Sequence, residues 1–293
     1  MVKTKEQFIQ ALDRAVELCR SNSNYMYHYT SASTVINYIL KSETLKLGTT
    51  SYMNDPEEMS KIANIGLDNT LGDQKSNDMH TLRLYKDMFP ELVNAVSFCV
   101  DRTDCPEYKG KNFNECGGVF SRKGFLKSRM WAMYAEKHEG ICLCFDKSRL
   151  ERNAQKQFGT RSLVLSQSVL YGNGLLEYLS RTNHDQSPAL FRTKNSQFED
   201  FFNHIVKFKD FFFFYKQKDW ADEDEHRLTF IHNSINQGDN FLSFQNSLVA
   251  IIIGHNLVLG PENMRFLTNY SEQNTIPVYR ATFNGMLPSI YPM

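Results

Sequence analysis

Hydrophobic and polar positions change period often along this chain, in short blocks. Near the start, Phe8, Leu12, Ala15, Val16 and Cys19 recur at helical spacing behind Thr4 and Gln7, which stand at capping-box distance. The polar "SNSN" of residues 21–24 ends that helix. "YMYHY", residues 25–29, reads as an aromatic strand; Val35, Ile36, Ile39 and Leu40 then return to helical spacing, with Ser31 or Ser33 as cap. "TLKLG" is a short alternating strand. "MNDPEE" predicts a helix start, with Asp55 as cap, Pro56 in first position, and Glu57 and Glu58 in the first turn, where the helix dipole favours anions.

"VNAVSFCV" reads as a buried strand, and the polar stretch after it (residues 101–126) as an insert rich in turn residues. "KSRMWAMYAEKH" has helical spacing through Met130, Trp131, Tyr134 and Ala135, with His138 at its C-terminal end before Gly140. "GICLCFD", "EHRLTFI", "SLVAIIIG" and "PVYRATF" are strands; "RSLVLSQSVLYG" is a strand or hairpin closed by Gly172-Asn173-Gly174. Residues 175–218 read as helical and rich in phenylalanine. Short strands, several of them antiparallel, interspersed with helices predict an α+β fold in a single domain of 293 residues.

Composition narrows the function classes. Lys+Arg and Asp+Glu balance at 33 each, so no bulk cationic field draws the chain to nucleic acid or lipid. Arg122, Lys123, Lys127 and Arg129 form only a modest basic patch. No apolar run approaches membrane-spanning length, and the first residues lack a signal-peptide pattern, so a cytoplasmic, non-membrane protein is expected. The six cysteines form no paired zinc motif, and the histidines show no ligand spacing, so no metal is expected. Cys142 and Cys144, flanking Leu143 on a strand, would share one face as small hydrophobes. Phosphate-binding glycine loops and a nucleophile elbow are absent.

The residues left to carry chemistry are few. Glu223, Glu225 and Arg227 are spaced by two where an apolar strand begins, so they would share a face. Such a set is either a solvated rim or ion-pair ladder, or a functional group in which one glutamate meets a sugar hydroxyl or a developing cation. Trp131 and Tyr134 are neighbours on a helix, either as core packing or as an aromatic wall for a planar ligand. Asn54 belongs to a helix cap and could also face a ligand. His28 ends a strand just before a Ser/Thr-rich turn, either as packing or where α/β proteins hold ligands.

In order along the chain, "YHYTS", "LKLGTTSYMNDPEE", "SFC", "MWAMYAEKHEGICLCFD" and "DWADEDEHRL" resemble a family of bacterial proteins catalogued as a domain of unknown function. The chain departs from that family's pattern at Cys99, where serine is usual, and in the insert. The family in turn resembles the ADP-ribosyltransferase superfamily, in its histidine–tyrosine–glutamate branch, and is similar in layout to DarT-type toxins. That resemblance implies a split β-sandwich with flanking helices, cradling NAD as substrate. It implies that His28 bonds a ribose hydroxyl, that Tyr29 and Thr30 hold the nicotinamide amide through their backbone, and that Ser97 and Phe98 line the pocket beside Asn54. Tyr134 would stack on nicotinamide; the tyrosine of the branch's triad is either replaced here or served by Tyr134. Glu225, or Glu223 beside it, would be the catalytic carboxylate, with Arg227 completing the binding set. The expected activity is ADP-ribosyl transfer to a macromolecule (RNA, DNA or protein), as in toxins or antiphage effectors, with an antitoxin or chaperone as a further candidate partner. The alternatives are an NAD glycohydrolase using the same pocket and a catalytically silent nucleotide-binding module.

Overall fold

A computed structural model describes residues 24–49, 56–67, 75–102, 123–182, 187–191, 198–233, 240–283 and 288–293. The helix expected around Phe8–Cys19, the cap residues Asn54 and Asp55, and most of the insert lie outside the described residues. What is described is a mixed α+β fold with a large mixed β-sheet and several helices. The chain divides into two compact units. One takes Met1–Leu45, Ser97–Gln157 and Leu242–Met293, the other Lys46–Val96 and Phe158–Phe241.

In the first unit the strand Ile141–Asp146 is central and almost wholly buried. The strand Tyr25–Thr30 runs antiparallel to it with Tyr27 opposite Cys144 and Tyr29 opposite Cys142. On its other side lies Leu248–Ile253, also antiparallel, which pairs in parallel with Val278–Phe283. Continuous apolar sequence suits Ile141–Asp146 and Leu248–Ile253, which are covered on both faces, whereas Val278–Phe283 alternates between buried and half-buried positions. Side-chain alternation sends Tyr27, Tyr29, Cys142 and Cys144 to one face, where they pack with Phe125, Trp131 and Ile252. Cys142 and Cys144 are free, and burial pushes both thiols well above their ordinary value, so they act as packing groups.

The segment after the first strand begins as expected: Ser31 accepts a hydrogen bond from the Thr34 amide at 3.0 Å. Val35–Ile39 then widens into a π-helical turn that buries Val35, Ile36 and Ile39. The helix Ser128–Tyr134 is shorter than its spacing predicts. It stops because Glu136, Lys137 and His138 all take positive φ, at 48°, 54° and 73°. Three successive non-glycine residues in that region are costly, at about 1–2 kcal/mol each. Packing holds the turn in place: a Cβ on Gly140 would collide with the carbonyl of Thr30, and one on Gly254 with the carbonyl of His138. Lys137 is exposed, so Lys137→Gly is expected to raise stability by about 0.5–1 kcal/mol, strain relief exceeding glycine's entropy cost. A denaturant midpoint that falls in this variant would show that the turn carries no strain at Lys137.

The second unit has the phenylalanine core that the sequence advertises. Phe89, Phe191, Phe201, Phe208 and Phe211–Phe214 pack with Tyr178 and Tyr215. The stretch expected to be helical does contain the helices Leu175–Thr182, Phe198–Lys207 and Lys209–Phe213. It also contains two short strands. Leu190–Phe191 pairs in parallel with Gly66–Leu67, and Tyr215–Gln217 with Leu170–Gly172. The long strand Glu225–His232 runs antiparallel to Ser162–Ser168 and is buried at every position.

Candidate functional site

The "DEDEHR" stretch forms the most charged buried feature of the second unit. Lys218–Glu223 is a 3-10 helix, closed by Asp224 in the left-handed region at φ 42°, and the strand begins only at Glu225. Glu223 therefore sits outside the strand's alternation, and the shared face expected from spacing by two is replaced by convergence on a lysine. Lys216 Nζ lies 3.0 Å from Glu223 Oε2 and 2.8 Å from Glu225 Oε2. Arg227 completes the cluster. Its Nε and Nη2 reach Glu225 Oε1 at 2.9 and 2.7 Å. Its Nη1 and Nη2 donate to Glu58 Oε1 and Oε2 at 2.9 and 3.3 Å, and Nη1 also donates to the Phe213 carbonyl at 2.7 Å.

This is no solvated rim. Glu58, Lys216, Glu223, Glu225 and Arg227 are 6%, 6%, 3%, 5% and 1% exposed. Charges so buried persist only when paired, and here three carboxylates surround two cations. Burial pulls Lys216 down, but Glu225, Glu58 and Glu223 outweigh it and hold its ammonium above the ordinary lysine value. Arg227 is held protonated in the same way: burial opposes the charge, while Glu225 and Glu58 more than restore it. Tyr171 supports the strand start, its hydroxyl accepting the Glu225 amide at 2.9 Å. Such a cluster ties the 3-10 helix, the strand start and the helix carrying Glu58 together through buried ion pairs.

Two of the five members were not singled out from sequence. Glu58 reads as a helix-dipole partner in "NDPEE", yet it turns to Arg227 across 169 positions. Lys216 sits beside a run of five aromatics, and a cation in such an apolar run needs a carboxylate partner, which was the available signal.

The first unit holds the other candidates. His28 is half-buried on the face of its strand opposite Tyr27 and Tyr29, edge-on to Phe98 at 5.8 Å. Its Nδ1 lies 3.1 Å from the Ser97 carbonyl, which can only accept, so Nδ1 carries the proton. Burial lowers the imidazole pKa, the Ser97 bond opposing this only in part. The neutral ring then presents Nε2 as an acceptor. The structure places His28 beside the Ser97 carbonyl and the Phe98 ring, with Phe98 buried and Ser97 exposed.

Tyr29 and Thr30 lie in register with Cys142 and Ile141, and the Tyr29 hydroxyl donates to the Gly124 carbonyl. Trp131 is core: it is fully buried, donates Nε1–H to the Phe125 carbonyl at 2.8 Å, and meets Tyr29 edge-on at 5.1 Å. Tyr134 is half-buried against that same aromatic cluster, on the Tyr27 and Tyr29 side rather than the His28 side.

Other buried histidines are satisfied internally. His226 lies between the hydroxyls of Ser166 and Ser168, at 2.8 and 3.1 Å. His232 lies between Ser162 and Asn94, at 2.6 and 2.7 Å. Among the described residues no group of three His, Cys, Asp or Glu could hold a metal ion, and no helix is long and apolar enough to cross a membrane.

No curated protein and no solved structure matches the chain. Residues 130–228 match the model of a family described as "Protein of unknown function (DUF2971)", a span that includes Trp131, Tyr134, Lys216, Glu223, Glu225 and Arg227 but neither His28 nor Glu58.

Proposed function

We propose that this chain binds NAD at the His28 end of its first strand and transfers ADP-ribose to a macromolecule, whether RNA, DNA or protein, in the manner of a toxin or antiphage effector. The finer architecture proposed with it is an ADP-ribosyltransferase-like split β-sandwich, with the chain acting as one domain. The observation that carries the reading is the state of His28. Its Nδ1 proton is committed to the Ser97 carbonyl, which leaves Nε2 as a fixed acceptor for a ribose hydroxyl. Its lowered pKa keeps the ring neutral, and a neutral ring does not repel the cationic nicotinamide group. NAD supplies its own leaving group, neutral nicotinamide, so the residues need only hold the ribose and admit the acceptor.

One observation favours a second reading, a nucleotide-binding module without transfer. Glu225 has both carboxylate oxygens paired, Oε1 with Arg227 and Oε2 with Lys216, and is 5% exposed. A carboxylate so compensated stabilises a developing cation less than an unpaired one would.

Calorimetry with NAD, nicotinamide release and label transfer from NAD in a cell lysate separate these readings. Transfer of label supports the transferase, nicotinamide release without transfer a glycohydrolase, and binding alone the module. His28→Ala is expected to weaken NAD binding about tenfold, the loss of one hydrogen bond, with little change in thermal stability. Binding to wild-type protein should hold at neutral pH and fall as pH drops through the depressed His28 pKa, because protonation converts the acceptor into a donor. The same shift makes the fold lose stability in that acidic range, since the unfolded chain takes up the proton first. Absence of NAD binding by the wild-type protein, or binding unaffected by His28→Ala, would sink the reading.

A further inference from the structure

A surface cleft of about 460 Å³ opens within the first unit, between the helical segment after the first strand, the left-handed turn and the loop that follows Ile253. Its volume is in the range of small-ligand sites. Glu136 and Glu139 line it from the turn, and Ser33, Asn37, Asn256 and Asn263 add neutral polar groups. Ile36, Leu257 and Leu259 supply an apolar wall.

Three features set this cleft apart from an ordinary acidic surface. Both glutamates are exposed, and among the described residues neither carboxylate has a hydrogen bond or ion pair. No lysine, arginine or histidine lines the cleft; Arg280 Nη1 is committed to the carbonyls of Gly254, His255 and Leu257. The turn that presents Glu136 is held in its left-handed form. The His138 carbonyl accepts the Asn256 amide at 3.0 Å, the Lys137 carbonyl accepts Asn256 Nδ2 at 3.3 Å, and the His138 ring stacks on Trp131 and meets Phe283 edge-on. Strained backbone that is over-determined by its surroundings is a mark of a positioned group.

We propose that the cleft binds an aliphatic cation: a primary ammonium or guanidinium group on a methylene stem. The two carboxylates would meet the charge, the Asn37, Asn256 and Asn263 amides would accept the remaining N–H groups, and the stem would lie along Ile36, Leu257 and Leu259. The same carboxylates repel phosphates, and the polar groups would be left unpaired by a purely apolar ligand. This assignment does not depend on the NAD reading and would survive its failure.

The chemistry has two sources, a free polyamine or a lysine or arginine side chain on a protein. Spermidine, agmatine and a short peptide rich in lysine and arginine serve as probes, with inorganic phosphate as the anionic control, each titrated into the full chain by calorimetry. Binding of the free amines but not the peptide points to a small-molecule ligand, and tighter binding of the peptide to a protein side chain; either outcome supports the cation site. Binding should weaken as salt is raised. The double variant Glu136→Gln with Glu139→Gln should bind at least about tenfold more weakly, as expected for losing both charges, with an unchanged melting temperature because both residues are exposed. If the wild-type protein binds no cationic probe, or the double variant binds as well as the wild type, the proposal is wrong.

Discussion

Arg227→Ala is expected to cost about 3–5 kcal/mol, enough to unfold many proteins of ordinary stability. The guanidinium bridges Glu58 and Glu225 and also satisfies the Phe213 carbonyl, and it is 1% exposed. Its removal leaves Glu58, Glu223 and Glu225 around Lys216 alone, and Lys216 stands 3.9 Å from Glu58. Lysine in its place should rescue little, because a single ammonium cannot reproduce a fork that faces two carboxylates at once. The informative comparison is the triple variant Glu58→Leu, Glu225→Leu, Arg227→Met. Replacing Arg227 together with both of its carboxylate partners, which leaves Lys216 paired with Glu223, should recover most of the loss, since the damage comes from uncompensated charge and not from lost attraction. Urea unfolding of the three variants tests this. A single Arg227→Ala variant with a wild-type midpoint would mean that the buried cluster does not support the fold.

Trp131→Ala is expected to cost about 3–5 kcal/mol, through the cavity left in the first unit's aromatic core. Trp131 is fully buried and touches Tyr29, and His138 stacks on it from the left-handed turn. Trp131→Phe should cost less, but not nothing. It fills part of the volume yet leaves the Phe125 carbonyl without the indole N–H, a loss of about 1–3 kcal/mol for an unsatisfied buried acceptor. If the phenylalanine variant proves as stable as wild type, the indole hydrogen bond contributes nothing and Trp131 acts only by volume. Because the left-handed turn leans on this ring, the alanine variant should also lose protection from amide exchange at Glu139 and Gly140, whose amides bond back to the Glu136 and Ala135 carbonyls. Unchanged exchange there would separate the turn from the core.

Local periodicity was enough to identify the strands Tyr25–Thr30, Val93–Val100, Ile141–Asp146, Glu225–His232 and Leu248–Ile253. Each is a run of apolar or alternating residues bounded by turn-formers, so burial is written into adjacent positions. A serine cap, at residue 31 or 33, and the common face of Cys142 and Cys144 were legible for the same reason: both depend only on near neighbours. The helices Lys75–Met88, Lys147–Phe158 and Pro261–Asn274 were not read from the sequence. Lys147–Phe158 buries only Leu150, Ala154 and Phe158 of its twelve residues, so its apolar stripe is thin. Tyr215–Gln217 follows phenylalanine-rich helices and looks like their continuation; it is a strand because Leu170–Gly172 lies beside it.

The charged cluster shows where sequence reasoning ends. Spacing marked Glu223, Glu225 and Arg227 as a set, but it left open a solvated rim, an ion-pair ladder and a functional carboxylate, because the charge pattern is the same in each. Asp224 in the left-handed region then broke the period-two rule, and Glu58 arrived from a helix 169 positions away. Likewise, helical spacing placed Trp131 beside Tyr134, but only the sheet decided that both pack on the face away from His28. Periodicity reports which side of an element is dry, through contacts a few residues apart. Which charge neutralises which, and which face a ring meets, depends on long-range closure of the chain, and there the free energy of burying a charge, rather than any local preference, selects the partner.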